Sequence, residues 1–168
     1  MKLRDDPEKL FKYVANIHCD GYDIDDENRE VVSSFIKYFT IDATFEKAVR
    51  DKKISLKRGN CLLGNTGIGK ATLFEICQVL VRNILSCFTI IKCSEFVNKF
   101  YEKGPESYKL LKGNILFKNL GAEGMGIYYG IKQDVMSEII DMRYDLWKKT
   151  GIVTHFTSTL NPQGFNLE

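Results

Sequence analysis

An α/β fold built around a mainly parallel sheet is predicted by three observations. From residue 60 onwards, short apolar runs bounded by Gly or polar residues alternate with longer stretches of helical period, the pattern of βαβ units. Those runs are continuously apolar rather than alternating, as expected of parallel strands covered on both faces. Between the first run and the first long helical stretch lies a turn, residues 64–70, that reads G-x-x-x-x-G-K. Only helical periods precede residue 55, so a short N-terminal helical segment over residues 1–55, packed on an α/β core over residues 56–168, is the expected organisation.

The elements follow in order. Asp6 is a natural N-cap with Pro7 at the first helical position, and Leu10, Phe11, Val14 and Ile17 recur at helical spacing, giving a helix that ends near Gly21. The cap-rich stretch "DIDDENRE" opens a second helix with Val31, Phe35 and Ile36 on one face. "DATFEKAVRDK" reads as a third. Strands are expected at residues 60–63, 88–93, 114–117 and 152–157. Helices between them are expected at 69–85, 94–103 and 133–149. In the first, Leu73, Ile76, Cys77, Leu80, Val81 and Ile84 form one stripe turned to the sheet; in the last, Val135, Ile139, Ile140 and Trp147 do the same.

Composition narrows the function classes. The chain has 168 residues, 44% of them hydrophobic, enough for one domain with a real core. No segment approaches the roughly 18 consecutive apolar residues of a membrane span. The opening "MKLRDDPEKLFKYV" lacks the apolar core of a secretory signal, so a cytoplasmic protein with no membrane partner is expected. Five cysteines without C-x-x-C pairs read mostly as buried small hydrophobes. His18 and His155 lack partners at catalytic or metal-ligand spacing and read as structural. A formal charge of +2 does not by itself announce a nucleic-acid partner. The basic run "RDKKISLKRG", residues 50–59, is read as a solvated connection, with DNA contact as the weaker alternative.

The turn carries the chemistry. Gly64, Gly67 and Gly69 can adopt the positive φ values that turn successive N–H groups of Asn65, Thr66 and Ile68 towards one anion. The helix that follows adds its positive N-terminal field, and Lys70 is placed to reach the β and γ phosphates of a nucleotide. The residue after the lysine is where such loops carry the Ser or Thr hydroxyl that ligates Mg²⁺, and here it is Ala71. Thr72 sits about 100° further round the helix, where it can meet a phosphate oxygen but not replace the missing ligand. A ligand-free glycine turn is the plainer reading, but it requires neither three glycines nor a lysine at this offset.

Taken together, "LLGNTGIGKATL", "NILFKNLGAEG", "YYGIKQDVMSEIIDMRYDLW" and "TGIVTHFTSTLN" resemble the AAA+ ATPases of the bacterial helicase-loader family. That family comprises DnaC-like proteins and the related ATP-binding subunits of insertion-sequence transposition systems. The resemblance spans residues 38–161. It implies a three-layer αβα P-loop NTPase of the AAA+/ASCE type that binds ATP or ADP. It also implies side-by-side oligomers, a replicative helicase or transposase as partner, and DNA nearby. Relatives continue into a fifth strand and a helical lid bearing an arginine, which residues 56–168 are expected to lack.

Within this resemblance the departures fall on metal and water. Where the family has paired acids at the end of a strand, the chain has Lys118 and Asn119; at the polar sensor, usually Asn, it has Thr159. An ammonium about 5 Å from a divalent cation is unfavourable by several kcal/mol at an effective dielectric near 20. Lys118 therefore works against Mg²⁺ but can contact the triphosphate beside Lys70, unless it simply extends into solvent. Glu123 is the acid nearby that could activate water, so Lys70, Glu123 and Thr159 are the catalytic candidates. The expectation is a nucleotide-binding domain impaired in hydrolysis. Two alternatives stand beside it: a non-catalytic adaptor with a vestigial pocket, and an active ATPase that uses Glu123.

Overall fold

The computed structural model describes residues 6–19, 21–42, 44–45, 55–82, 87–124, 126–128 and 131–160. The chain divides into two compact units, Met1–Leu56 with Ala71–Cys87, and Lys57–Lys70 with Phe88–Glu168. The helical stretch after the glycine turn thus groups with the N-terminal helices. Among the described residues no helix is long and apolar enough to cross a membrane.

The first unit is helical. Helix α1, Pro7–His18, starts as its sequence dictates: the Asp6 carboxylate accepts the Lys9 N–H at 3.1 Å and Pro7 fills the first turn. It buries Phe11, Val14 and Ala15. Helix α2, Arg29–Phe39, buries Val32, Phe35, Ile36, Tyr38 and Phe39. Helix α3, Lys70–Leu80, buries Leu73, Phe74, Ile76 and Cys77. Phe74 lies off the apolar stripe read from the sequence, yet is fully buried, its ring set edge-on to Phe35 at 5.0 Å and Phe39 at 6.0 Å. Of the stripe, Leu80 is half-buried and Ile84 lies outside the described residues. The third expected helix also lies outside them, apart from helical Thr44 and Phe45; Phe45 packs on Tyr38 at 5.6 Å.

The second unit contains a four-stranded parallel sheet in the order β1-β6-β3-β2. Its strands are β1 (Cys61–Leu63), β2 (Phe88–Lys92), β3 (Asn114–Leu120) and β6 (Thr154–Ser158). A separate antiparallel pair joins β4 (Gly126–Tyr128) to β5 (Ile131–Gln133). Helix α4, Cys93–Lys103, is followed by a 3₁₀ turn, Gly104–Leu110. Helix α5, Val135–Thr150, is capped by Asp134, which accepts the Ser137 N–H at 3.1 Å, and stopped by left-handed Gly151. The core gathers Phe96, Val97 and Phe100 of α4, Ile115 and Phe117 of β3, and Val135, Met136 and Ile139 of α5.

Three expectations need correction. Strand β3 does not end at Phe117 but runs to Leu120, because β6 continues to pair with it. On α5 the buried set is Val135, Met136, Ile139 and Arg143, whereas Ile140 is exposed and Trp147 is half-buried. An arginine takes the stripe's next turn because its guanidinium finds neutral acceptors there: Thr154 Oγ1 at 2.8 Å and the carbonyls of Leu111, Gly113 and Val153 at 3.3, 2.9 and 3.0 Å. Of the cysteines only Cys77 and Cys93 are buried; Cys61, on the end strand of the sheet, and Cys87 are exposed.

Phe74→Ala is expected to destabilise its unit by about 3–5 kcal/mol, since it removes a fully buried ring. Urea unfolding monitored by circular dichroism measures the loss.

Candidate nucleotide site

Parallel pairing brings the C-terminal tips of β1, β6 and β3 to one edge of the sheet, the place where open α/β sheets bind ligands. β1 feeds the glycine loop. Gly64, Gly67 and Gly69 have φ of 144°, 88° and 81°, values that residues with a Cβ rarely adopt. A Cβ at Gly64 would lie 2.6 Å from Ile68 Cδ1, the far end of an exposed side chain that can turn away, so the positive φ is what calls for glycine there. Lys70 opens α3 and folds back, its ammonium donating to the carbonyls of Gly64 and Asn65, each at 2.6 Å. Those two bonds close the loop into a ring and leave one of the three ammonium donors for an anion. Asn65, Thr66, Gly67 and Ile68 are exposed; Ala71 and Thr72 are half-buried, in the first turn of α3.

The tip of β3 is irregular. The ladder shifts register between Phe117 and Leu120, and Asn119 sits in the left-handed region with φ of 60°. Asparagine tolerates that conformation better than most residues. Hydroxyls of β6 hold the irregular tip. The Asn119 N–H donates to Thr157 Oγ1 at 3.0 Å, and Ser158 Oγ donates to the Leu120 carbonyl at 2.6 Å while accepting the Leu160 N–H at 3.0 Å. Thr157 and Ser158 are buried, whereas Thr159 is exposed, one residue past the strand. Sequence reading singled out Thr159 and missed its two neighbours; strand alternation puts Thr157 and Thr159 on the same face and so gave no signal to separate them.

Two lysines and one acid stand at this edge. Lys118, half-buried, is the cross-strand partner of Lys92 on β2. Glu123 is half-buried and turns back on its own loop, its carboxylate accepting the Gly121 N–H at 2.8 Å. Its charge also reaches Cys93, whose thiol burial first and Glu123 second push up to about 12, so Cys93 is no nucleophile. Among the described residues no group of three or more His, Cys, Asp or Glu could hold a metal ion. Glycine-loop amides and a lysine are groups that can hold a polyphosphate, whereas at the positions where the family resemblance would place Mg²⁺ ligands the chain has the methyl of Ala71, the ammonium of Lys118 and the amide of Asn119.

His155 is buried on β6, where its Nδ1 accepts the Asn60 N–H at 3.0 Å. Burial, and then the charge of Arg143, lower its pKa to about 3, so it is neutral and structural in role.

No protein-family model and no curated protein matches the chain. In fold it is similar to the crystal structure of a provisionally named primosome component from Streptococcus pyogenes serotype M3. The TM-score is 0.57 at 16% identity, over 90% of this chain and 72% of that one. At this identity the likeness is one of fold.

Two outcomes test the geometry. Thr157→Val strands the Asn119 N–H and is expected to cost about 1–3 kcal/mol, read by urea unfolding. His155, with a folded pKa of about 3 against an ordinary 6.5, takes up a proton in the unfolded chain first. Its contribution is complete above pH 6.5 and lost as pH falls towards 3. The stability advantage of the wild type over His155→Gln is therefore expected to shrink between those values in paired melts.

Proposed function

We propose that this chain is a P-loop domain of helicase-loader type that binds ATP or ADP by its phosphates and is impaired in hydrolysing it. One observation carries the reading: Lys70 clasps the first two carbonyls of a loop whose three glycines hold positive φ, a geometry that supports an inward-facing set of amides. Bound ATP would supply the phosphoric anhydride. The loop amides and Lys70 would hold its phosphates, Thr72 would add a hydroxyl, and Lys118 would offset charge where relatives place a carboxylate. Phosphoryl transfer depends on metal bridging and on an oriented water. In this reading Glu123, engaged by its own loop, and Thr159, exposed, are poorly placed for either task. The fold neighbour is described as a primosome component, which supports a setting in DNA replication; a replicative helicase or transposase as partner, DNA nearby and side-by-side oligomers belong to the proposal through the family resemblance alone.

The adaptor reading has one observation of its own. Tyr13 and Ile17, one turn apart on α1, are 57% and 66% exposed, an apolar pair suited to a protein partner. Capture of a helicase together with no rise in melting temperature on adding ATP or ADP would favour it.

Labelled ATP titrated into the purified chain is expected to bind with an affinity that Mg²⁺ or EDTA changes by less than about threefold. Lys70→Ala should weaken binding about tenfold or more, as loss of a charge-assisted contact does. Lys118→Asp should introduce a Mg²⁺ requirement. Binding by the wild type only in the presence of Mg²⁺ would overturn the role given to Lys118.

A further inference from the structure

The opposite end of the sheet holds a second site. Gly59, just before β1, and Thr154, the first residue of β6, border a cavity of about 370 Å³, within the usual size range of small-molecule pockets. One wall is Ile140, Tyr144 and Trp147, recurring along α5, with the Tyr144 and Trp147 rings stacked at 5.7 Å. The other is Phe156 of β6. Trp147 is pinned by its indole N–H, which donates to the Lys57 carbonyl at 2.7 Å. Gly59 is required by closeness, since a Cβ there would lie 1.7 Å from the Thr154 carbonyl oxygen.

Arg143 lines this cavity and is only 2% exposed. Its four acceptors are a hydroxyl and three carbonyls, all neutral, and no carboxylate among the described residues lies within ion-pair distance. Of its five N–H groups, one on Nη1 has no described acceptor. A buried charge without a countercharge is costly, and proteins ordinarily pair it. Arg58, at the same cavity, adds a second guanidinium. We propose that this cavity binds a small monocarboxylate with an aromatic or branched aliphatic body, the carboxylate pairing with Arg143 and Arg58 and the body lying against Ile140, Tyr144 and Trp147.

Trp147 is the chain's single tryptophan, so its emission reports on the cavity directly. Phenylacetate titrated into the full chain is expected to change that emission saturably, and neutral phenylacetamide to bind about tenfold more weakly or worse. Arg58→Gln should weaken the acid and leave the amide unchanged. Arg143→Met also removes four structural hydrogen bonds, so the ligand pair and Arg58 carry the discrimination. Equal responses to acid and amide, or no saturable response to either, would overturn the proposal. Displacement of phenylacetate by excess pyrophosphate would do so too, by assigning the acid to the phosphate loop.

Discussion

The clasp between the Lys70 ammonium and the carbonyls of Gly64 and Asn65 is the contact on which the functional reading depends. A glycine-rich turn has many conformations and gives up more entropy than any other segment on becoming ordered. Two charge-assisted bonds from a residue at the start of α3 restrict it to a ring. With the ring closed, positive φ at Gly67 and Gly69 becomes a shape and not merely a freedom. The same lysine then has one remaining donor, aimed by the two it has used.

Around this clasp the sheet supplies a scaffold for the neighbouring strand tip. β6 lies between the loop strand and β3, and its hydroxyls at Thr157 and Ser158 hold the β3 tip in a register shift with Asn119 left-handed. That shift sets where Lys118 stands, next to Lys92 across the β2–β3 ladder. In the proposed function, a ligand with several negative charges would lie against both ammonium groups.

The β-strands were legible because continuous apolar runs bounded by polar residues leave few alternatives, and the shape of the loop was legible because its glycines stand where positive φ is needed. What escaped reading was set by contacts distant in sequence. The last three residues of β3 are polar or mixed, and their pairing relies on hydroxyls 38 residues away. Phe74 falls off the α3 stripe because α2 offers it a second apolar surface through Phe35 and Phe39. Arg143 was passed over because arginine ordinarily marks a solvated face, and the carbonyls that bury it come from the loops before β3 and β6. The sites differ in the same way. The candidate phosphate loop is contiguous and could be read as text, while the cavity at the other end is assembled from α5, β6 and the approach to β1, with no motif in any of them.

Amide hydrogen exchange across residues 64–70, measured with and without ATP in excess EDTA, tests the central claim most directly. Ligand N–H bonds formed without a metal predict slowed exchange confined to this loop and the first turn of α3. Exchange unchanged by ATP under these conditions, or slowed only once Mg²⁺ is restored, would contradict it.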